Sequence, residues 1–429
     1  MSLHLPKHHW GTRQVDAYEK IECIGAGTYG QVYMAKDKAS GEVVAIKKIR
    51  SLNEIQGLPV TTIREIKVLK GLRHQNLVGL KEVVVSTSDD TDDGFSEKED
   101  VLEYSHGSIY LVLEYVEHDL TGLLDRQYLF SDTEIKCIMH QLLNVMKHMH
   151  SIDIIHRDIK CSNLLLTKTH LLKLADFGLA RSIRGDQVFT NKVVTLWYRA
   201  PELLLGATSY DASIDMWSIG CVFAELYIGH PLFQGKTELE QITRIFDLCG
   251  TPTQESWPDY KYLPLTNKFV PEKPKSRKLK EYLLREVSSR KKMFPKGAIE
   301  LIESLLHLDP EQRPTTEGCL RSLYFQSRPY CPDDPRSLPE ISNLPPSHEY
   351  QTKKIRREQA KQLVGGGHSS NTGGGNSGNS KTRISTSTKQ SPRASGLEAG
   401  VKRADDSLIK TEMSSSNDRI ESHKKRRRD

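Results

Sequence analysis

The stretch of residues 156–178 contains three side chains suited to phosphoryl transfer. Asp158 could accept a proton from an attacking hydroxyl group, and Asn163 and Asp176 offer the hard oxygen ligands that hold Mg²⁺. Two short apolar runs lie between Asn163 and Asp176, and they predict a pair of strands joined by a polar turn. Such a pair would return Asp176 towards Asn163, so the stretch predicts one compact site.

The spacing of these residues is more specific than any residue alone. An isolated Asp or Asn in a loop is usually a turn former or a solvated charge, and Asp-Phe-Gly recurs by chance. Here His156-Arg157-Asp158 is followed by Asn163 and then by Asp176-Phe177-Gly178. This combination resembles the signature of protein kinases, and it predicts that the other parts of a kinase site occur elsewhere in the chain.

Composition and charge divide the chain into two parts. Its 429 residues, 37% of them hydrophobic, suffice for a large core or two lobes. The net charge of +6 belongs to the C-terminal end, because residues 351–429 carry a net +10 and the first 350 residues carry a net −4. The mildly acidic first part gives no reason to predict a nucleic-acid groove.

Hydropathy and cysteine usage exclude several protein classes. No apolar run approaches the roughly 18 residues of a membrane-spanning helix, and the first residues lack the apolar core of a secretory signal. The seven cysteines are scattered and never form Cys-x-x-Cys, which argues against a disulfide framework or a zinc site. We expect a soluble, non-secreted protein with no membrane partner.

A glycine-rich segment follows a strand pattern at residues 18–24. The spacing Gly-x-Gly-x-x-Gly is weak evidence alone, because dinucleotide-binding folds use it before a helix. Here two β-rich runs follow, so the glycines join strands and predict a flap whose N–H groups cover ATP phosphates. The predicted ATP-binding residues of this flap are Gly25, Ala26, Gly27, Thr28, Tyr29, Gly30, Gln31 and Val32.

Lys47 ends the second of these runs and is the candidate partner of the ATP phosphates. The next segment predicts a helix that Thr61 or Thr62 can cap and that carries Glu65. Lys47 could instead be a solvated lysine at a strand end, and Glu65 could form a capping box with Thr62. We favour a pair between Lys47 and Glu65, although both roles of Glu65 could alternate between states.

Residues 59–65 resemble the cyclin-binding helix of cyclin-dependent protein kinases. Residues 117–124, 158–163 and 347–353 resemble the transcription-elongation group, which includes the C-class plant kinases and the kinase of positive transcription elongation factor b. Cell-cycle members have Ser at the position of Val60. The resemblance is therefore closer to the transcription kinases.

The resemblance covers about residues 16–352 and implies an α+β, bilobal eukaryotic protein kinase fold. The N-lobe is expected to be mainly β with one regulatory helix, and the C-lobe mainly α. The predicted segments are an N-terminal arm (1–15), the kinase domain (16–326, with the N-lobe at about 16–114, the hinge at about 115–119 and the C-lobe at about 120–326), an extension that packs on the kinase (327–352) and a basic, Gly/Ser-rich disordered tail (353–429).

The resemblance also assigns the ATP pocket. Adenine would bond to the backbone of Glu114 and Val116, with Leu113 at the back of the pocket and Asp119 near the ribose. On the sequence alone the apolar members are ordinary core residues. Those that would enclose the base are Ile24, Val32, Ala45 and Leu165.

In the catalytic loop the resemblance assigns Lys160 to the γ-phosphate and Thr195 to a hydrogen bond with Asp158. Thr190 falls on the activating phosphothreonine of the family, which another kinase would phosphorylate. The phosphate clamp would consist of Arg64, Arg157 and Arg181, because guanidinium groups bind phosphate oxygens through paired hydrogen bonds.

The resemblance identifies residues 176–202 as the activation segment and assigns further features to it and to the glycine-rich flap. Val193-Val194 matches the feature behind proline-directed specificity, and Glu202 is expected to pair with Arg313. Thr28 and Tyr29 match positions that inhibit some relatives when phosphorylated.

The chain ends in a cluster of basic residues. Such a run is often only a solvated tail, but it is also typical of a nuclear-import signal or a contact with RNA. We favour nuclear import and therefore a nuclear location. The cluster consists of Lys424, Lys425, Arg426, Arg427 and Arg428.

The sequence thus predicts a cyclin-dependent, proline-directed Ser/Thr kinase that uses ATP and Mg²⁺. By resemblance, its partners are a transcription-type cyclin and the C-terminal repeat domain of RNA polymerase II, and its role is transcription elongation. The alternatives are a cell-cycle or mitogen-activated kinase, or a non-catalytic scaffold. A mitogen-activated kinase would carry Thr-x-Tyr at this place, and residues 189–192 do not contain it. A scaffold would not need the full catalytic set, which is Lys47, Glu65, Asp158, Asn163 and Asp176.

Overall fold

The computed structural model describes most of the chain up to the start of the C-terminal tail. The described residues are 13–27, 30–49, 59–86, 108–185, 189–271, 273–341 and 344–365. Within these ranges, none of the helices combines the length and the apolar character needed to cross a membrane.

The N-lobe is built on an antiparallel sheet of five strands in the order β1-β2-β3-β5-β4. The central strands β3 and β5 are buried on both faces over most of their length, and they pair so that Lys47 lies opposite Leu111. The strands are β1 (Tyr18–Gly27), β2 (Gly30–Asp37), β3 (Val43–Ile49), β4 (Leu80–Val85) and β5 (Ile109–Glu114).

One helix, α1 (Val60–Gly71), accompanies this sheet. Its N-cap is Pro59, whose carbonyl accepts the N–H groups of Thr62 and Ile63 at 2.9 and 3.1 Å. The prediction of a cap at Thr61 or Thr62 was therefore wrong. Both threonines lie inside the first turn, where Thr62 is buried, and no side chain caps the helix.

The C-lobe is mainly helical and packs around α5 (Ser213–Ile228). Every residue from Ile214 to Ile228 is buried, which explains a helix that is apolar on all sides. A capping box fixes the start of α3, because Ser131 and Glu134 each accept the other's backbone N–H. The other helices are α2 (Leu120–Asp125), α3 (Asp132–Ser151), α4 (Pro201–Leu204), α6 (Glu238–Cys249), α7 (Thr266–Phe269), α8 (Leu279–Ser289), α9 (Ala298–Leu305), α10 (Thr316–Leu320) and α11 (Leu323–Gln326).

Short strands bring the catalytic stretch together beneath the N-lobe. Two small sheets have the orders β6-β8-β9 and β10-β7. The predicted strand pair is present, since Leu164 lies opposite Leu174 across β8 and β9. The strands are β6 (His118–Asp119), β7 (Ile154–Ile155), β8 (Leu164–Leu166), β9 (Leu172–Leu174) and β10 (Arg181–Ser182).

Two predicted boundaries differ from the structure. A helix, α12 (Glu349–Gly365), runs through the predicted start of the tail at residue 353. Lys, Arg, Glu, Gln and Ala in this segment favour helix, although their polar composition resembles that of a disordered tail. At the other end, Arg13 bonds to Asp37 at 3.0 Å and Val15 is buried, so residues 13–15 belong to the N-lobe and not to an arm.

Candidate active site

The carboxylate of Asp158 is the centre of a dense hydrogen-bond network. Its Oδ1 accepts the hydroxyl of Thr195 at 2.8 Å and the N–H of the same residue at 3.1 Å. Its Oδ2 accepts the ammonium of Lys160 at 2.7 Å and the amide of Asn163 at 3.0 Å. These contacts hold the carboxylate in one orientation, as a group that receives a substrate proton requires.

A buried carboxylate on α5 positions the backbone of the catalytic loop. Asp215 accepts the N–H groups of His156 and Arg157, both at 2.9 Å, and it pairs with the Nε2 of His150 at 3.0 Å. Burial opposes its charge, but the hydrogen bond and charge of His150 lower the pKa of Asp215. Arg157 adopts the left-handed conformation with φ of 67°, a strained geometry that these bonds to Asp215 sustain.

Lys47 joins the N-lobe to Asp176, one of the two candidate Mg²⁺ ligands. Its ammonium bonds to Glu65 on α1 at 2.8 and 2.9 Å and to Asp176 at 3.2 Å. Burial disfavours the charged form, but Asp176 and Glu65 together raise the pKa of Lys47 above its ordinary value. Glu65 therefore pairs with Lys47 and does not form a capping box with Thr62.

Asn163 and Asp176 face the same end of the cleft. The backbone N–H of Ala175 donates to the backbone carbonyl of Asn163 at 3.0 Å, so the strand pair returns the chain at Asp176 to Asn163, and both residues line the cleft. Asn163 uses its amide nitrogen on Asp158, which leaves its side-chain oxygen and the Asp176 carboxylate as hard oxygen donors. This donor set fits Mg²⁺ held together with substrate phosphates.

A cleft of about 980 Å³ separates the two lobes. It contains most of the predicted ATP-binding and catalytic residues. Gln31 is not among its lining residues, and its side-chain oxygen accepts the hydroxyl of Tyr33. The predicted residues that line the cleft are Ile24, Gly25, Ala26, Gly30, Val32, Ala45, Lys47, Glu65, Leu113, Glu114, Val116, Asp119, Asp158, Lys160, Asn163, Leu165, Asp176 and Thr195.

The start of α12 lines one side of the cleft, a position that the predicted packing of residues 327–352 on the kinase did not specify. His348 lies with its Nε2 3.0 Å from the carbonyl oxygen of Val116 in the hinge. The N–H of Glu349 donates to Oδ2 of Asp119 at 2.7 Å, and the N–H of Gly122 donates to Oδ1 at 2.6 Å. Burial raises the pKa of Asp119 to about 8, against the two N–H donors that lower it.

Asp119 therefore lines the cleft as expected, but both of its oxygens are already engaged by the starts of α2 and α12. Side chains further along α12 line the same cleft. They are Tyr350, Lys353, Lys354, Arg357 and Glu358. The motif at residues 347–353 could have indicated this contact with the cleft, but in the sequence it indicated only the family.

The remaining predicted residues are Thr190 in the activation segment and the three arginines of the predicted phosphate clamp. Thr190 is exposed, and its hydroxyl oxygen accepts the N–H of Lys192 at 3.3 Å. Of the three predicted clamp residues, Arg157 is linked to the backbone carbonyl of Thr190 through the hydroxyl of Tyr210. Arg64 donates to the carbonyl of Gly178 at 3.5 Å. The third, Arg181, is exposed on β10.

Two further predictions concern the backbone of Val194 and the ion pair between Glu202 and Arg313. Val194 has φ of 66°, and its carbonyl accepts Nη2 and Nε of Arg199 at 3.1 and 3.3 Å. Arg313 and Glu202 form the expected bidentate pair, both bonds being 2.7 Å long. Thr28 and Tyr29 lie outside the described residues, as do the basic residues 424–428.

Comparisons with known proteins place the chain in a family. A model of the protein kinase domain matches residues 18–325. Cyclin-dependent kinase C-1 of Arabidopsis thaliana is 50% identical over 83% of this chain and 68% of its own length. The chain belongs to the cyclin-dependent protein kinases. Cyclin-dependent kinase 12 of Drosophila melanogaster is 42% identical over 82% of this chain and 29% of its own length.

A solved structure agrees with this assignment. The crystal structure of the yeast RNA Pol II CTD kinase CTDK-1 complex aligns with a TM-score of 0.63 and 34% identity, over 75% of this chain and 97% of the matched chain. The present kinase is thus a Ser/Thr protein kinase of the cyclin-dependent kinase C and 12 type. It spans about two thirds of the length of its Arabidopsis relative.

In this kinase an ion pair joins the two lobes across the cleft, because Lys47 of the N-lobe contacts Asp176. Lys47 already contacts both Glu65 and Asp176, and Asp158 already contacts Lys160 and Thr195. Phosphoryl transfer depends on positioning and charge neutralisation more than on covalent chemistry. The described residues supply both.

Proposed function

We propose that this kinase transfers the γ-phosphate of ATP to Ser or Thr that precedes Pro, and that its substrate is the C-terminal repeat domain of RNA polymerase II. The observation that carries the proposal is the hydrogen bond between Arg199 and the carbonyl of Val194. This bond occupies the acceptor that the residue after the target would otherwise use. Proline has no N–H group and loses nothing at that position.

In the proposed reaction each catalytic side chain has one task. Asp158 orients the substrate hydroxyl and receives its proton, and Lys160 and Lys47 bind phosphate oxygens. Asn163 and Asp176 would hold Mg²⁺, which neutralises phosphate charge when it is bound. Removal of these catalytic side chains would abolish phosphate transfer. A protein that served only as a scaffold would not need them to be assembled in one site.

A cyclin is the proposed partner of α1. The helix buries Glu65, but it exposes 69% of Val60 and 40% of Ile63 on its outer side. Burying those apolar side chains in a partner would fix α1 and hence the pair between Glu65 and Lys47. The names of the cyclin-dependent relatives support this partner.

The substrate and cellular role rest on similarity and sequence. The matched yeast complex is named an RNA Pol II CTD kinase, which supports the repeat domain as the substrate. Promotion of transcription elongation follows from that substrate. Import into the nucleus through residues 424–428 and activation by phosphorylation of Thr190 complete the proposal.

Peptide specificity tests the proposal. The kinase, purified with its bound partners, is assayed on heptad-repeat peptides that contain Ser-Pro and on matched peptides with Ser-Ala. Wild type should prefer Ser-Pro strongly. Arg199→Ala frees the Val194 carbonyl to accept the N–H group of Ala, so the preference should fall about tenfold, as one hydrogen bond of about 1.4 kcal/mol allows.

The control for this assay is Arg336→Ala, which removes an exposed arginine that bonds to its neighbour Asp334. It should leave the preference unchanged. A wild-type enzyme that phosphorylates both peptides equally would contradict the proposed specificity.

A further inference from the structure

The hydroxyl of Tyr210 stands between the catalytic loop and the activation segment. Nη1 of Arg157 donates to the Tyr210 oxygen at 2.9 Å, and the same hydroxyl donates to the backbone carbonyl of Thr190 at 2.8 Å. Two hydrogen bonds in series therefore connect the residue before Asp158 to the backbone of the proposed phosphorylation site.

Packing reinforces this connection. The ring of Phe189 is buried, and its centroid lies 5.1 Å from the centroid of Tyr210. The N–H of Phe189 donates to the carbonyl of Thr208 at 2.8 Å, and the guanidinium carbon of Arg157 lies 5.8 Å from the Phe189 centroid. The segment at residues 189–190 is thus attached to residues 208–210 by backbone, ring and hydroxyl contacts.

Arg157 carries the effect into the active site. Its Nε donates to the carbonyl of Leu179 at 2.7 Å, and its backbone N–H is held by Asp215. The next residue is Asp158, whose carboxylate bonds to Thr195 in the same activation segment. A change in the position of Arg157 therefore alters both the loop and the segment that define the reacting geometry.

We propose that Tyr210 is a positioning residue that ties Arg157 to the backbone of Thr190 while Thr190 carries no phosphate, and that the phosphate takes over this task. The inference rests on the proposed activation at Thr190. The side chain of Thr190 is exposed, so it is accessible to another kinase.

The physical basis is an exchange of acceptors at Arg157. A neutral phenol gives a guanidinium group one modest hydrogen bond, whereas a phosphate carries about −1.5 to −2 charges and accepts paired hydrogen bonds. Burial also raises the pKa of Tyr210, which keeps the phenol neutral at physiological pH. The phosphate should therefore displace Tyr210 as the main partner of Arg157 and make its hydroxyl dispensable.

The test combines Tyr210→Phe with two states of Thr190. Tyr210→Phe removes the hydroxyl and keeps the ring against Phe189. Wild type and variant are purified with their bound partners, and each is divided into a phosphatase-treated form and a form phosphorylated at Thr190, verified by mass spectrometry. We expect kcat/KM to fall about fivefold in the dephosphorylated form, as the loss of about 1 kcal/mol allows, and less than twofold in the phosphorylated form.

The matched control is Tyr282→Phe, which removes the hydroxyl of a half-buried tyrosine on α8 and should change neither form. An equal loss of activity in both forms of Tyr210→Phe would indicate a general structural role and would overturn the inference. The absence of a loss in the dephosphorylated form would overturn it too.

The outcomes for the inference and for the proposed activation are distinguishable. If phosphorylation of Thr190 fails to stimulate the wild-type kinase, the proposed activation is wrong, whatever Tyr210→Phe does. Thr190→Ala provides a second check, because it keeps the backbone carbonyl that Tyr210 binds. Tyr210→Phe should lower its activity about fivefold as well.

Discussion

One carboxylate, that of Asp119, joins the start of α2 to the start of α12. Replacing it by Asn leaves a single acceptor oxygen and places an amide NH₂ group against the second N–H. A protonated carboxyl group can still accept on both oxygens, so Asp119 can hold both N–H groups in either protonation state. The N–H of Gly122 lies three residues away in the same turn, so we expect Asp119→Asn to keep this bond and to lose the bond from Glu349.

The bonds that remain limit how much free energy of attachment α12 loses in Asp119→Asn. Loss of a helix N-cap costs about 0.5–2 kcal/mol. The bond between His348 and the Val116 carbonyl persists, as does the bond of 2.8 Å from the hydroxyl of Thr352 to Asp125. The attachment of α12 should therefore weaken by about 0.5–2 kcal/mol, a factor of roughly 2–30, without being lost.

Amide hydrogen exchange at residues 349–352 measures this directly. Asp119→Asn should raise exchange there by the same factor, and KM for ATP should rise because α12 lines the cleft. The control is Asp153→Asn, which weakens an exposed contact of 3.0 Å with Arg184 by the same chemical change. Unchanged protection at residues 349–352 in Asp119→Asn would refute the shared-cap reasoning.

Three other substitutions test other contacts. Burial raises the pKa of Glu225 from 4.5 to about 7, so between these pH values the folded state binds a proton that the unfolded state has lost. The unfolding free energy of wild type should therefore fall by about 3 kcal/mol as the pH rises from 4.5 to 7. Glu225→Gln should lack this fall when both proteins are unfolded with urea. Glu65→Gln removes one charge of the buried pair with Lys47 and should lower kcat at least tenfold; unchanged kcat would contradict the role of the pair. Arg313→Met leaves Glu202 buried and unpaired and should cost about 3–5 kcal/mol in the same urea assay, and a loss below about 1 kcal/mol would contradict it.

The catalytic arrangement was accessible from sequence because its parts are local. Asp158 and Asn163 share one loop, and a short strand pair returns Asp176 beside them, as the apolar runs indicated. Lys47 and Glu65 are farther apart, but each follows a recognisable strand or helix pattern. Motif spacing therefore predicted the core of the site.

The contacts that sequence did not reveal join residues far apart in the chain. The bond from Glu349 to Asp119 spans 230 positions, and no local pattern marks either residue as its partner. The same holds for the bond between Arg157 and Tyr210. Local reasoning also misplaced the cap of α1, because the carbonyl of Pro59 satisfies the first N–H groups without any side chain.

The most direct test of the account is phosphate transfer to a heptad-repeat peptide by the kinase purified with its bound partners. With ATP and Mg²⁺, wild type should phosphorylate Ser-Pro sites, a cyclin should be identified among the partners by mass spectrometry, and Asp158→Asn should lose activity by about 10²–10⁴-fold. Full activity of Asp158→Asn, or full activity of a monomer without a cyclin, would contradict the account.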